Sequence, residues 1–192
     1  MSFETKKGKY KLGIDGTYNV YNALGAIACA KEMGITEASI KTALKEYRVN
    51  NGRMQTIQVG ETKCMLNLAK NQVGADISIS EMVRDKENKQ LLFLLNDLSH
   101  DSADISWIWD ADFERLQNTE IERVICAGTR AEDMALRVKY AGVDKSKIFV
   151  IPELSKSLDT ILTSDTKVYC LPTYTGLEPM RKYLEKKEKE SK

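Results

Sequence analysis

The sequence predicts an α/β domain with a mostly parallel sheet and flanking helices. Short, continuous apolar runs (QLLFLL at 90–95, RVICA at 123–127, KIFVI at 147–151 and KVYCL at 167–171) alternate with stretches of helical periodicity. A strand that is apolar on both faces belongs in a sheet covered on both sides, and regular alternation with helices makes that sheet parallel. The length of 192 residues, 42% of them hydrophobic, suits one ordinary domain or one domain plus part of another.

Each element follows from a local signal. KYKLGI at 9–14 reads as a short strand, and Gly16 allows a turn. A helix follows over about 19–33, with Val20, Leu24 and Ile27 as its apolar stripe and Ala23, Ala26 and Ala30 small enough for close packing. Gly34 stops it. Thr36 caps a second helix running to about Tyr47, with Ile40 and Leu44 inward. The polar segment RVNNGR at 48–53 carries an Asn-Asn-Gly turn signal and places a domain boundary there, giving residues 1–49 and 50–192. MQTIQV, Gly60-Glu61 and TKCMLNL then spell a hairpin. Helices are expected near 76–87, 111–117, 130–140 (Ala131, Met134 and Val138 inward), 155–163 and from 176 onward, with the four apolar strands between them. The charged tail RKYLEKKEKESK reads as a solvated helix end.

Composition excludes several functions. Lys and Arg number 29 against 28 Asp and Glu, a net charge of +1 that argues against general nucleic-acid binding. The one histidine, His100, rules out a two-histidine metal site within a single chain. Cys29, Cys64, Cys126 and Cys170 lie in apolar runs without C-x-x-C spacing and read as buried, reduced thiols of a cytoplasmic protein. The longest apolar stretches, such as ALGAIACA at 23–30, fall short of the roughly 20 residues of a transmembrane segment, and the start has no signal-peptide core. No G-x-x-x-x-G-K-[ST] occurs, so this chain offers no phosphate cradle of that type.

Candidate chemistry collects where strands end, because ligands of open parallel sheets bind outside the carboxyl edge. Asn96-Asp97, Gly128-Thr129-Arg130 and Pro172-Thr173-Tyr174-Thr175-Gly176 lie at such ends, the last two just before helices whose amino termini attract anions. The segment 96–114 holds six acids, both tryptophans and His100, but no Lys or Arg. Its carboxylates suit a cation, or the orientation of a histidine or nucleophile, with some occupied in capping. Trp107 and Trp109 suggest one buried and one contact face, and His100 is expected to be exposed and inert. Asn19 and Asn22 open the first helix, and Asn67, Lys70 and Asn71 follow the hairpin. Amides can read a base edge and lysine a phosphate, although an Asn at a helix start is commonly a cap.

YNVYNALGAIACAKEMG, NNGRMQ, NLAKN, LND…ADISWIWDADFE, AGTRAEDMALRVKYAG and LPTYTGLEPM together resemble the carboxyl-terminal part of the MurT family. Its members are Mur-ligase-like subunits of lipid II isoglutaminyl synthases. The resemblance implies a Rossmann-like carboxyl-terminal domain preceded by the last elements of a Mur ligase central domain. It implies a cytoplasmic ligase acting at the inner membrane face, without a transmembrane segment, in peptidoglycan synthesis. It further implies that, in the full-length protein, ATP with Mg serves to activate the α-carboxyl of D-glutamate in lipid II and that ammonia from a GatD-type glutaminase partner then gives D-isoglutamine.

Carried over by position, Asn19 and Asn22 match asparagines near adenine, and Arg53 matches an arginine reaching the nucleotide. Asn67, Lys70 and Asn71 match the segment at the nucleotide cleft. Asp104 is the catalytic candidate, expected to orient the partner glutaminase's histidine. Thr129, Arg130, Tyr174 and Thr175 are candidates for the substrate or partner side. The family's Pro-Ala after LAKN is replaced here by Gln72-Val73, and its P-loop portion and zinc ribbon are not in this chain. The 192 residues alone are therefore expected to lack ligase activity. Rival readings are a non-catalytic module that docks a glutaminase and a Rossmann-like small-molecule binder.

Overall fold

A two-residue turn sets the register of the larger sheet in this computed structural model, which describes residues 1–6, 8–14, 16–48, 52–101 and 103–191. Gly60 takes a φ of 55° at the first turn position, where a β-carbon is disfavoured. Strands β3 (Gln55–Val59) and β4 (Thr62–Leu66) consequently pair antiparallel, with Val59 opposite Thr62. Two strands precede them, β1 (Ser2–Thr5) and β2 (Gly8–Lys11), with helices α1 (Thr17–Glu32) and α2 (Glu37–Glu46). The chain divides into two units, Met1–Met54 and Gln55–Lys192. The boundary expected between positions 49 and 50 falls at Val49, Asn50 and Asn51, which lie outside the described residues.

In the first unit β1 and β2 pair antiparallel, and Phe3 stacks on Tyr10 with centroids 5.5 Å apart. The predicted strand at 9–14 thus ends at Lys11, and its partner over 2–5 was not expected. Tyr10, Ile27 and Ile40 form a small core. Helix α1 buries Asn19, Ala23 and Ile27 instead of the expected Val20–Leu24–Ile27 stripe, and Leu24 is 39% exposed. Both rows have helical spacing, so periodicity alone could not choose between them. Cys29 is exposed, against expectation, because it lies off the buried row. Gly34, at φ 76°, ends α1 with its own N–H on Lys31 O and that of Ile35 on Ala30 O. Thr36 caps α2 by accepting from Ser39 N at 3.3 Å.

The second unit continues with α3 (Gln72–Arg84), β5 (Lys89–Leu94), α4 (Trp107–Asp110), a 3-10 turn (Phe113–Asn118), β6 (Ile121–Ala127), α5 (Ala131–Tyr140), β7 (Ile148–Val150), α6 (Leu154–Ile161), β8 (Lys167–Pro172) and α7 (Tyr174–Glu190). The six strands lie in the order β3-β4-β8-β5-β6-β7, all neighbours parallel except β3 and β4. Leu92, Leu94, Ile125 and Cys170 meet Leu158 and Ile161 of α6 and Met180 and Leu184 of α7 on one face. On the other, Phe93 packs edge-on against Phe113 at 5.6 Å. Buried Cys64 and Cys126 are pushed up to about 12 by desolvation, which keeps those thiols protonated. Lys89, wholly buried at the start of β5, donates to the carbonyls of Asp85 and Glu120 at 2.9 and 3.3 Å.

Two boundaries moved for physical reasons. Helix α3 starts at Gln72 because Asn71 caps it, accepting from Gly74 N at 2.9 Å. Gln72 holds the first helical position, where a proline is also tolerated, so losing the family's Pro there leaves the helix start intact. The helix expected over 111–117 is instead the 3-10 turn, and α4, which precedes that span, was not expected. Ile108, between the tryptophans, is the buried residue of α4; Trp107 is half-buried and Trp109 exposed.

Gly128 ends β6 at φ 92°, and a β-carbon there would stand 2.4 Å from Leu95 O. Gly128→Ala is expected to destabilise the second unit by about 1–3 kcal/mol. A urea midpoint equal to that of the unaltered protein would show that the close approach is not required.

Candidate functional site

Strands β5, β6 and β8 end side by side, and one amide ties their ends together. Asn96 N donates to Thr173 Oγ1 at 3.1 Å and Asn96 Nδ2 to Thr175 Oγ1 at 2.9 Å, while Asn96 Oδ1 accepts from Thr129 N at 3.0 Å. This is the switch point of the sheet, since the chain leaves β5 toward β6 but leaves β8 toward α7, which packs against β3. An open depression of about 430 Å³ lies there, lined by Asn96, Thr129, Glu153, Thr175 and Pro179 among others.

The polar groups expected to bind a substrate are largely engaged with one another. Thr129 Oγ1 donates to Asp97 Oδ1 at 2.8 Å. Arg130 bridges Asp97 and Asp133 at 3.1 and 2.7 Å. The Thr129 hydroxyl, followed by the Arg130 guanidinium, holds the Asp97 carboxyl below its ordinary value of 3.8. Asp101, only 3% exposed, accepts from Thr175 N at 2.7 Å and from the Thr175 hydroxyl, and so occupies the amino terminus of α7. Tyr174, in contrast, is exposed.

Asp104 is exposed and accepts from Ser106 N at 2.8 Å, immediately before α4. The Ser106 backbone N–H lowers its carboxyl from the usual value. Of the remaining acids of the segment, Glu114 pairs with Arg137 at 2.7 Å and the Asp112 carboxylate lies 4.0 Å from Arg115 Nε. Among the described residues no three His, Cys, Asp or Glu side chains cluster so as to hold a metal ion. His100 is exposed, its Nδ1 3.2 Å from Ser99 Oγ.

The nucleotide candidates divide between the units. In the first, Asn22 Nδ2 donates to Asn19 Oδ1 at 3.3 Å, and both line a pocket of about 270 Å³ with Leu12, Ile14, Ala23 and Tyr47 among its walls. Arg53 belongs to the same unit and is exposed. In the second unit Asn67 is buried and donates to Ser78 Oγ at 2.6 Å, Asn71 caps α3, and Lys70 between them is exposed. Asn67 and Asn71 therefore shape the turn from β4 into α3.

The sequence did not single out Arg137 or the contacts of Asp97 and Asp101. The signal for Arg137 was a cation beside the inward row Met134–Val138, facing a segment rich in acids and devoid of bases. Its side chain is 2% exposed.

A family model described as MurT ligase C-terminal matches residues 68–177. The chain belongs to this MurT family. It is 40% identical, over 92% of its length, to a protein of Staphylococcus aureus (strain COL) named lipid II isoglutaminyl synthase (glutamine-hydrolyzing) subunit MurT. The protein of that name from Streptococcus pneumoniae (strain ATCC BAA-255 / R6) is 37% identical over 92% of the chain. The chain spans 40% of the length of each relative. Among solved structures, UDP-N-acetylmuramate-alanine ligase MurC of Thermotoga maritima superposes with a TM-score of 0.70 over 96% of this chain and 40% of that one, at 16% identity. That likeness establishes a Mur-ligase-like fold. Among the described residues, no helix is long and apolar enough to cross a membrane.

Thr129→Val and Arg130→Gln are each expected to raise the Asp97 titration midpoint toward that of an ordinary aspartate. A folded-state value below the unfolded one adds stability above about pH 4, and that stability is lost as pH falls through the folded midpoint. Carbon-detected NMR titration reads the shift; a midpoint unmoved in both variants would show that neither contact holds the charge.

Proposed function

We propose that this chain is the carboxyl-terminal part of a MurT subunit of lipid II isoglutaminyl synthase, which amidates the α-carboxyl of D-glutamate in the lipid II stem peptide with ammonia from a GatD-type glutaminase. The observation that carries the reading is Asp104, within a chain 40% identical to such a subunit over 92% of its length. Its carboxylate is exposed on the second unit, held by the Ser106 N–H at 2.8 Å and paired with no base of its own segment. A carboxylate fixed in this way can accept from an imidazole N–H presented by another chain and hold that ring in one tautomer and orientation. His100, the only histidine here, contacts Ser99.

The amidation needs an activated carboxyl, because a carboxylate does not react with ammonia unaided. ATP, when bound, supplies the phosphoryl group that makes the carboxylate oxygen a leaving group. The pocket around Asn19 and Asn22 suits its adenine: the walls are apolar and the amides are polar groups able to read a base edge. Arg53 and Lys70, both exposed, are the cations of this chain assigned to the nucleotide. Mg and the triphosphate cradle are assigned to the remainder of the full-length protein, which acts at the inner face of the cytoplasmic membrane. Thr129, Arg130, Thr175 and exposed Tyr174 border the substrate or partner side of the carboxyl edge.

Asp104→Asn keeps an acceptor for Ser106 N but removes the charge. In the complete complex it is expected to lower glutamine hydrolysis about 100-fold or more while assembly persists; unchanged turnover would refute the orienting role. Arg53→Ala should raise the KM for ATP by about tenfold, the scale of one lost charged hydrogen bond, and spare glutaminase turnover. An ATP dependence equal to that of the unaltered complex would remove Arg53 from the nucleotide site.

A further inference from the structure

The four residues of α4 cannot sustain a helix by themselves, since one turn falls well below the length at which isolated helices persist. Something outside the segment must hold Trp107–Asp110 in place. Buried Ile108 supplies an apolar anchor, and Arg137 of α5 supplies the polar one. Its Nε donates to Ile108 O at 2.7 Å, and its Nη2 donates to Ala111 O at 2.8 Å and to Glu114 Oε2 at 2.7 Å. The guanidinium lies 5.4 Å from the Trp109 ring and 5.2 Å from the Phe113 ring, so aromatic faces flank it as well. One cation thereby joins the end of α4 to the start of the 3-10 turn. At its other end α4 is preceded by Ser106, whose N–H holds Asp104.

We propose that Arg137 is a positioning residue for glutamine hydrolysis: by holding the carbonyls of Ile108 and Ala111 it fixes α4, and through Ser106 it fixes where the Asp104 carboxylate meets the partner subunit. The inference rests on the reading of Asp104 given above. No other basic side chain can substitute from within the segment, because residues 96–114 contain no Lys or Arg. Lysine at position 137 would keep the charge but not the planar fork that serves two carbonyls and a carboxylate together. Methionine would keep most of the apolar volume and leave both carbonyls without this donor.

The test uses the complete MurT–glutaminase complex with Arg137→Met, Arg137→Lys and Asp104→Asn. Amidation is measured with glutamine and, separately, with ammonium chloride, which bypasses the glutaminase. Arg137→Met should lower kcat for glutamine hydrolysis by about 10- to 100-fold, the scale of a misplaced reacting group, with KM for glutamine within about twofold. Ammonium-dependent amidation should persist, and Arg137→Lys should fall between Met and Arg. Equal loss of both activities would overturn the proposal and leave Arg137 a fold residue only. If Arg137→Met does not assemble, Arg137→Lys carries the same comparison. Unchanged glutamine turnover in the Arg137 variants beside a fall in Asp104→Asn would defeat this inference alone; unchanged turnover in Asp104→Asn would defeat the reading beneath it.

Discussion

Asn96 is the residue on which the carboxyl edge of the sheet depends. Its backbone N–H and both ends of its amide are committed to Thr173, Thr175 and Thr129, the residues that follow β8 and β6. A hydrogen-bonded amide at the junction of three strands fixes their relative heights, and buried or half-buried polar groups tolerate few other arrangements. Around this junction Asp97 draws in Arg130, and Asp101 closes on Thr175. The edge is thus internally satisfied before any ligand arrives. What it offers a partner is shape, the exposed Tyr174 and a preset distribution of charge, with few uncommitted donors.

The same economy explains the acidic segment 96–114. Six acids without a base look like a cation site when read as a string. Folded, four of them go to separate partners: Asp97 to Thr129 and Arg130, Asp101 to Thr175, Glu114 to Arg137, and Asp104 to a backbone N–H. Their positive partners come from after β6 and from α5, so the segment is held by elements made later in the chain. Electrostatic attraction here places a loop, and the loop places a carboxylate.

Much of the second unit was legible because its strands carry continuous apolar runs and its hairpin turn contains glycine. Boundaries shifted where capping decided them, as at Asn71, and where a short turn held from outside took the place of a helix, as at the 3-10 turn of Phe113–Asn118. The first unit was harder to read. Helix α1 offers two rows that share Ile27, and the one with Asn19 and Ala23 is buried while Ile27 packs with Tyr10 and Ile40, leaving Leu24 and Cys29 outside. Strand β1 exists through its pairing with β2, which no local pattern announces. Of the site, Thr129, Arg130 and Thr175 stood out as hydroxyls and a cation at strand ends. Their mutual engagement did not, because it depends on residues about 33 to 79 positions apart.

Strand order has a consequence for how the second unit comes into being. β8 lies between β4 and β5, yet it is the last strand in the sequence. Until residues 167–172 leave the ribosome, the β3–β4 hairpin and the β5–β6–β7 ribbon have no shared strand, and each presents an open edge to the cell. The central strand pairs with both and makes one sheet of the two pieces. Afterwards α7 closes over it, with Ser191 Oγ accepting from Gly60 N at 3.0 Å across 131 residues of chain. The sheet is therefore joined by pairings of high sequence separation, the kind of contact whose loop-closure cost slows folding.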